Sequence, residues 1–110
     1  MDVINIKKAN LIKLGYKDLN DWLKNPNHIY IGRNMTFYVE GATASKWQNK
    51  FTVKKYGLSK CLELYEEHIR NSDLYDQLNE LNGKILGCWC SPNKCHGDIL
   101  IKLLNEKLNV

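Results

Sequence analysis

The sequence lacks any apolar run long enough to cross a membrane. Its longest runs, such as residues 85–90, are far shorter than the roughly 20 residues that a transmembrane helix needs. Residues 1–8 also lack the basic-then-apolar order and the small-residue cleavage site of a secretory signal. These absences predict an intracellular protein, cytoplasmic or nuclear, whose cysteines are thiols or metal ligands rather than disulfides.

Arginine is scarce, because Arg33 and Arg70 are the only two among 16 basic residues. The net charge of +4 favours anionic partners such as nucleotides or nucleic acid, although scattered lysines are also typical of a solubilising surface. The chain has no internal repeat, linker or low-complexity tract, and its 44% hydrophobic residues are ordinary for a globular protein. Its 110 residues fit one domain.

The apolar patterns predict an α/β fold, with strands and helices in one compact domain over residues 1–110. Residues 1–27 are expected to hold a first strand and a short helix, and residues 42–51 a long loop. The predicted strands are residues 3–6, 28–31, 35–39 and 85–90. The predicted helices are residues 17–24, a helix capped by Ser59 that buries Leu62, Tyr65 and Ile69, a helix capped by Ser72 that ends at Asn82 and Gly83, and residues 97–108.

Residues 85–90 are apolar on both faces, which is typical of a central strand covered on two sides. We therefore expect a small, mostly parallel or mixed sheet with helices packed on it. Cys61 is expected to lie in the core.

The segment after this central strand concentrates the residue types that carry chemistry. Cys88 and Cys90 are two apart on the predicted strand, so their side chains leave the same face. Cys95 and His96 follow at the predicted start of the last helix, where free backbone N–H groups stabilise a thiolate or a bound anion. Open α/β sheets bind ligands at this edge, which predicts a pocket for an anionic small molecule with Cys95 or His96 as nucleophile or proton carrier.

Two other interpretations of this segment remain open. Thiolate and imidazole are zinc ligands, and four of them would close a tetrahedral site, here Cys88, Cys90, Cys95 and His96. Their C-x-C and Cys-His spacing departs from the common C-x₂-C pair. In the structural interpretation, Cys88 packs in the core while His96 and Asp98 cap the last helix.

Four motifs follow one another along the chain, at residues 30–33, 45–51, 81–84 and 86–98. In this order they resemble the family called domain of unknown function 4326, which occurs in bacteria, phages and large DNA viruses. The resemblance spans about residues 3–104, with residues 28–104 as the family core. One difference is Lys50, where the family usually has proline.

The Cys-then-Cys-His ending is also similar, more remotely, to domain of unknown function 488, in which the position of Cys90 is acidic. This second resemblance favours a shared ligand pocket over a four-ligand zinc site.

The resemblance to the first family implies that eleven residues converge on one site. The catalytic candidates are Cys95, His96 and Asp98. The candidates for ligand binding are Gly32, Arg33, Ser45, Lys46, Trp47, Asn49, Cys90 and Gly97.

Each candidate has a chemical role in this interpretation. Arg33 would grip a phosphate or carboxylate, Lys46 would add positive charge, and Trp47 would stack a base or ring. Asn49 would read an amide edge, and Asp98 would orient the imidazole beside the nucleophilic cysteine. The alternatives are a loop anchor for Trp47 and a surface ion pair for Arg33.

The sequence thus predicts a domain that binds a nucleotide-like or other anionic small molecule at the strand-end pocket. One version of this hypothesis is a Cys/His-dependent enzyme. The alternative is a zinc-stabilised module, of the kind found in viruses, that binds nucleic acid or protein. Zinc is the candidate cofactor, and the residues identify no other. No membrane partner is expected.

Overall fold

The computed structural model describes residues 2–90 and 94–109. The strands are β1 (Asp2–Asn5), β2 (His28–Tyr30) and β3 (Ile85–Cys88). The helices are α1 (Lys8–Lys13), α2 (Leu19–Trp22), α3 (Val53–Tyr56), α4 (Leu58–Arg70), α5 (Leu74–Gln77) and α6 (His96–Leu108), with a 3₁₀ turn at Leu78–Leu81. Within these two segments, no helix has the length and apolar character that a membrane span requires.

The three strands form one parallel sheet in the order β1-β3-β2. Leu86 of β3 faces Val3 on one side and Ile29 on the other, so β3 takes part in both ladders. This arrangement confirms the predicted α/β class and the central position of the last strand. The strand ends at Cys88, two residues before the predicted end at Cys90.

Each face of the sheet carries its own apolar core. Leu86 and Cys88 point to the face covered by α4 and α6, where Tyr65 and Leu103 are also buried. The opposite face is covered by α1 and α2 through residues such as Trp22. The sheet is therefore the middle layer of a three-layer α/β domain, which explains why β3 is apolar on both sides.

Gly87 lies where β3 meets the α2 side. A Cβ atom built on it would lie 2.7 Å from Ile6 Cγ2 and 2.8 Å from Trp22 Cη2. No side chain fits there without moving these two residues, so the glycine allows the second core to pack directly on the backbone of β3.

The helix predicted around residue 59 is α4, and its buried face holds Leu62, Tyr65 and Ile69 as expected. The predicted cap was wrong, because the helix begins after Gly57, whose positive φ of 79° suits glycine, and Ser59 lies inside the first turn. Ser72 does cap the next helix, because its Oγ accepts a hydrogen bond from the Leu74 amide at 3.3 Å, while Asp73 at the formal N-cap of α5 makes no side-chain cap bond.

The predicted stop at Gly83 is confirmed by its left-handed φ of 76°. Cys61 is buried, as predicted.

The strand predicted at residues 35–39 was wrong. This segment forms turns instead, in which the Met35 carbonyl accepts hydrogen bonds from the amides of Tyr38 and Val39. Phe37 is 91% exposed, so the aromatic pattern that suggested a strand does not reflect burial. Helix α1 was missed for a related reason, because Leu11 is its one buried residue and the segment has no apolar stripe.

We predict that Gly87→Ala destabilises the domain by about 1–3 kcal/mol, because the added methyl group overpacks the contact with Ile6 and Trp22. Urea unfolding followed by circular dichroism measures the change. Ser59→Ala is the control, and it should shift the free energy of unfolding by less than about 0.5 kcal/mol. A Gly87→Ala protein as stable as the wild type would contradict this packing.

Candidate functional site

A cleft of about 540 Å³ opens at the carboxyl edge of the sheet, where β2 and β3 end. The residues after β2, the residues after β3, the 49–54 segment and the starts of α4 and α6 form its walls. The lining residues are Gly32, Arg33, Met35, Asn49, Phe51, Thr52, Val53, Lys54, Leu58, Cys61, Leu62, Cys88, Trp89, Cys90, Lys94, Cys95 and His96. Residues 91–93 of the predicted motif lie outside the described part of the chain.

Arg33 is held at the rim of this cleft by backbone carbonyls. Its Nε donates to the Asn49 carbonyl at 3.0 Å and its Nη2 to the Phe51 carbonyl at 3.3 Å. The Tyr30 hydroxyl donates to the Arg33 carbonyl at 2.5 Å, which fixes the backbone at the same point. The guanidinium has five N–H donors, so three of them are left for a ligand.

Asn49 shapes the loop that holds Arg33. Its Oδ1 accepts from the Phe51 amide at 2.9 Å, and its Nδ2 donates to Cys61 Sγ at 3.1 Å. The Cys61 thiol in turn donates to the Phe51 carbonyl at 3.0 Å. The amide group predicted to read a ligand edge is thus engaged within the protein, although Asn49 lines the cleft.

His96 lies at the first turn of α6 and joins the helix to the end of β2. Its Nε2 lies 2.7 Å from the Ile31 carbonyl, which can only accept, so Nε2 carries the hydrogen. Burial lowers the pKa of this imidazole below its ordinary 6.5, although the Ile31 hydrogen bond opposes the shift. The neutral ring then keeps Nδ1 as an acceptor in a residue that lines the cleft.

Cys95 occupies the N-cap of α6 and touches the end of β3. Its Sγ lies 3.3 Å from Cys88 Sγ, and both side chains are buried. The contact with Cys88, followed by burial, raises the pKa of the Cys95 thiol well above its ordinary 9.0, although the Gly97 amide opposes the shift. This thiol is therefore protonated at neutral pH, unlike an activated cysteine nucleophile.

Asp98 and Gly97 have structural contacts in the same turn. The Asp98 carboxylate accepts from the Cys95 amide at 2.9 Å and completes a capping box, while the Ile31 carbonyl holds the imidazole. A Cβ on Gly97 would lie 2.8 Å from Val3 Cγ2, so this glycine lets α6 approach the sheet. The part proposed for Asp98 in orienting His96 stays a prediction.

Five of the eleven predicted residues do not line the cleft: Gly97 and Asp98, described above, and the three residues of the 45–47 loop. Ser45 bonds to the Gly32 carbonyl through its amide at 3.0 Å and anchors the loop. Trp47 is 2% exposed and its carbonyl accepts from the Tyr65 hydroxyl at 2.6 Å, so the ring is part of the core. Lys46 lies 2.7 Å from Glu80 and faces the 3₁₀ turn.

The zinc alternative requires its four ligands to meet at one point. Cys88 and Cys95 are in contact, but the Nε2 atom of His96 faces a backbone carbonyl. Across residues 2–90 and 94–109, no three His, Cys, Asp or Glu side chains are arranged to hold a metal ion.

Sequence reasoning missed several residues of the cleft. Lys54 and Lys94 add positive charge, and Phe51 and Met35 add apolar surface. Phe51 and Lys94 stood in motifs already singled out, but neither was given a role, and lysine is common on protein surfaces. Beside the cleft, the Tyr30 hydroxyl accepts a hydrogen bond from Trp89 Nε1 at 3.0 Å.

Residues of the ordered motifs form this cleft. Comparison with known proteins assigns the chain that contains these motifs to a family. A model described as "Domain of unknown function (DUF4326)" matches residues 15–106. The chain belongs to this family. The matched residues include the segments that form the cleft, from the end of β2 to the start of α6.

The family assignment agrees with the similarity to a viral protein. An uncharacterized protein of Acanthamoeba polyphaga mimivirus is 38% identical over 96 residues, which cover 79% of this chain and 73% of the viral protein. No solved structure matches the chain.

We predict that His96 makes the domain less stable in mild acid. Its pKa is lowered in the folded state, so below about pH 6.5 the unfolded chain takes up a proton that the folded chain does not. The free energy of unfolding should keep the whole His96 contribution above this pH. As the pH falls below it, the free energy of unfolding should decrease by up to about 1.4 kcal/mol per pH unit. Urea unfolding at several pH values should give a shallower fall for His96→Gln, and equal slopes would contradict the burial of a neutral imidazole.

We also predict an order of thiol reactivity. The pKa of both thiols is raised, that of Cys90 by burial and that of Cys95 by the Cys88 contact and burial. Cys90 is exposed but Cys95 is only 3% exposed, so iodoacetamide should label Cys90 at least about tenfold faster in the native protein. Peptide mass mapping after short labelling times gives both rates. Labelling of Cys95 as fast as that of Cys90 at neutral pH would instead support the nucleophile interpretation.

Proposed function

We propose that this domain binds a nucleotide-like anionic small molecule in the cleft at the carboxyl edge of its sheet. One observation carries the proposal: the described residues that line the cleft include Arg33, Lys54 and Lys94 but no aspartate or glutamate. A lining that carries positive charge and no carboxylate attracts an anion. The volume of about 540 Å³ falls within the usual range for small-molecule sites.

Arg33 is the strongest candidate for the anion contact. Its two bonds to the backbone carbonyls of Asn49 and Phe51 hold the guanidinium in place before a ligand arrives. A preorganised fork loses little side-chain entropy on binding and suits the bidentate recognition of phosphate or carboxylate. Lys54 and Lys94, which are exposed, would add further positive charge.

A second part of the ligand is inferred from the apolar surface of the cleft. Phe51 and Met35 are partly buried, and Val53 and Leu58 expose apolar side chains beside them. Such a surface is suited to the flat face of a ring. An anion attached to a ring describes a nucleotide better than it describes inorganic phosphate or a sugar phosphate.

A neighbouring groove of about 500 Å³ along α4 has the opposite charge character. Three glutamates line it, Glu63, Glu66 and Glu67, together with Arg70 and Lys94. Arg70 Nη2 lies 3.0 Å from Glu66 and 2.7 Å from Glu106, so its charge is already neutralised. An anion is therefore favoured in the cleft at the sheet edge and not in this groove.

If the bound molecule reacts, His96 is better suited than Cys95 to move a proton. The imidazole is neutral, its tautomer is set by the Ile31 carbonyl, and Nδ1 has a free lone pair. The Cys95 thiol is held in its protonated form by burial and by Cys88. The enzymatic version of this proposal thus assigns proton transfer to His96.

Thermal unfolding with a panel of nucleoside monophosphates and their parent nucleosides tests the proposal. A monophosphate should raise Tm while its nucleoside does not, because only the monophosphate carries the anion that the cations of the cleft attract. At a hundredfold excess over Kd, a bound ligand stabilises the fold by about 2.7 kcal/mol. Lys54→Met and Lys94→Met should each weaken the shift. Lys24→Met removes the same charge from a residue that does not line the cleft, so it should leave the shift unchanged.

Two results would overturn this proposal. One is a panel in which no monophosphate raises Tm at millimolar concentration. The other is an equal shift in the Lys54→Met, Lys94→Met and Lys24→Met proteins, which would place the anion elsewhere.

A further inference from the structure

We propose that Cys88 and Cys95 form a redox-active dithiol at the floor of the cleft, which a hydroperoxide converts to a disulfide. The observation behind this is the distance of 3.3 Å between the two Sγ atoms. The inference does not depend on the proposed ligand, because it concerns the protein's own sulfur atoms.

The fold brings these two thiols together from different elements. Cys88 is the last residue of β3, and Cys95 is the N-cap of α6. The Cys95 sulfur accepts a hydrogen bond from the Asp98 amide, and the Asp98 carboxylate accepts one from the Cys95 amide. This capping box keeps the Cys95 sulfur directed at the strand end, so the pair is positioned before any oxidant arrives.

The oxidant reaches the pair through the cleft. Cys88 and Cys95 are 1% and 3% exposed, yet both line the cleft floor, and a hydroperoxide group is close to water in size. The other two cysteines are placed differently, because Cys61 bonds to the Phe51 carbonyl and Cys90 is exposed. Among the four cysteines, Cys88 and Cys95 thus form an adjacent pair, whereas Cys61 and Cys90 are placed singly.

The chemistry balances with one hydroperoxide per pair. One sulfur attacks a peroxide oxygen, the O–O bond breaks, and a sulfenic acid and one water are formed when hydrogen peroxide is the oxidant. The second sulfur then attacks the sulfenic sulfur, the S–O bond breaks, and the disulfide and a second water are formed. The thiol pair loses two electrons and two protons, and the peroxide gains them.

The raised pKa of Cys95 keeps its sulfur in the thiol form at neutral pH. The thiolate is the reactive form, so attack by the Cys95 sulfur should accelerate as the pH rises. The slow step is the attack on peroxide. Closure of the disulfide is fast because the second thiol is already in contact.

The test treats the reduced, folded full-length chain with hydrogen peroxide and maps the products by mass spectrometry. The expected product has lost the mass of two hydrogen atoms, contains a Cys88–Cys95 linked peptide, and returns to the starting mass with dithiothreitol. Cys90→Ser should give the same linked peptide, since the exposed thiol is not part of the pair. Cys95→Ser should give none.

A second measurement keeps the test independent of how the serine variant folds. Wild-type protein, alkylated in denaturant after oxidation, should leave Cys88 and Cys95 unlabelled and Cys61 labelled. Oxidation confined to Cys90, with Cys88 and Cys95 both alkylated, would overturn the proposal. So would a disulfide between Cys90 and either of them as the main product in the folded chain.

Discussion

The bond between the His96 imidazole and the Ile31 carbonyl fixes the geometry on which the candidate site depends. At 2.7 Å it connects the start of α6 to the backbone just after β2, across the end of β3. Because this contact holds the start of α6 against the end of β2, it holds together two of the segments that line the cleft. A buried polar contact of this kind is costly to break, since the carbonyl would lose its partner away from water.

The polar groups around this contact are of two kinds, those that are bonded within the protein and those that are not. The Asn49 amide and the Asp98 carboxylate are occupied by backbone partners and serve the protein's own architecture. The cations at the rim and the imidazole Nδ1 retain hydrogen-bonding capacity toward the cleft. The distinction matters because residues of both kinds lie in the same motifs. Shared motifs therefore mark a site without saying which of its side chains touch a ligand.

Much of the fold could be predicted from the sequence because its strongest signals come from burial on both sides of β3. The apolar run at 85–88 indicated a central strand, and α4 and α6 followed from their stripes. The segment 35–39 misled because its aromatic residues are exposed, and periodicity reports burial alone. For the site, motif order located the edge of the sheet. Motif order could not show that Trp47 packs into the core. Loops lack the regular spacing of apolar residues from which the direction of a side chain is inferred in helices and strands.

The position of β3 has a consequence for how the chain acquires its structure. The first two strands are not neighbours, and each finds its hydrogen-bonding partner only in residues 85–88. No ladder can form until residues 85–88 have been synthesised, so the 84 residues before them wait without a sheet. Local helices form early, and the closing step is the insertion of one strand between two others. Such long-range pairing slows folding and leaves two bare strand edges exposed to other chains in the meantime.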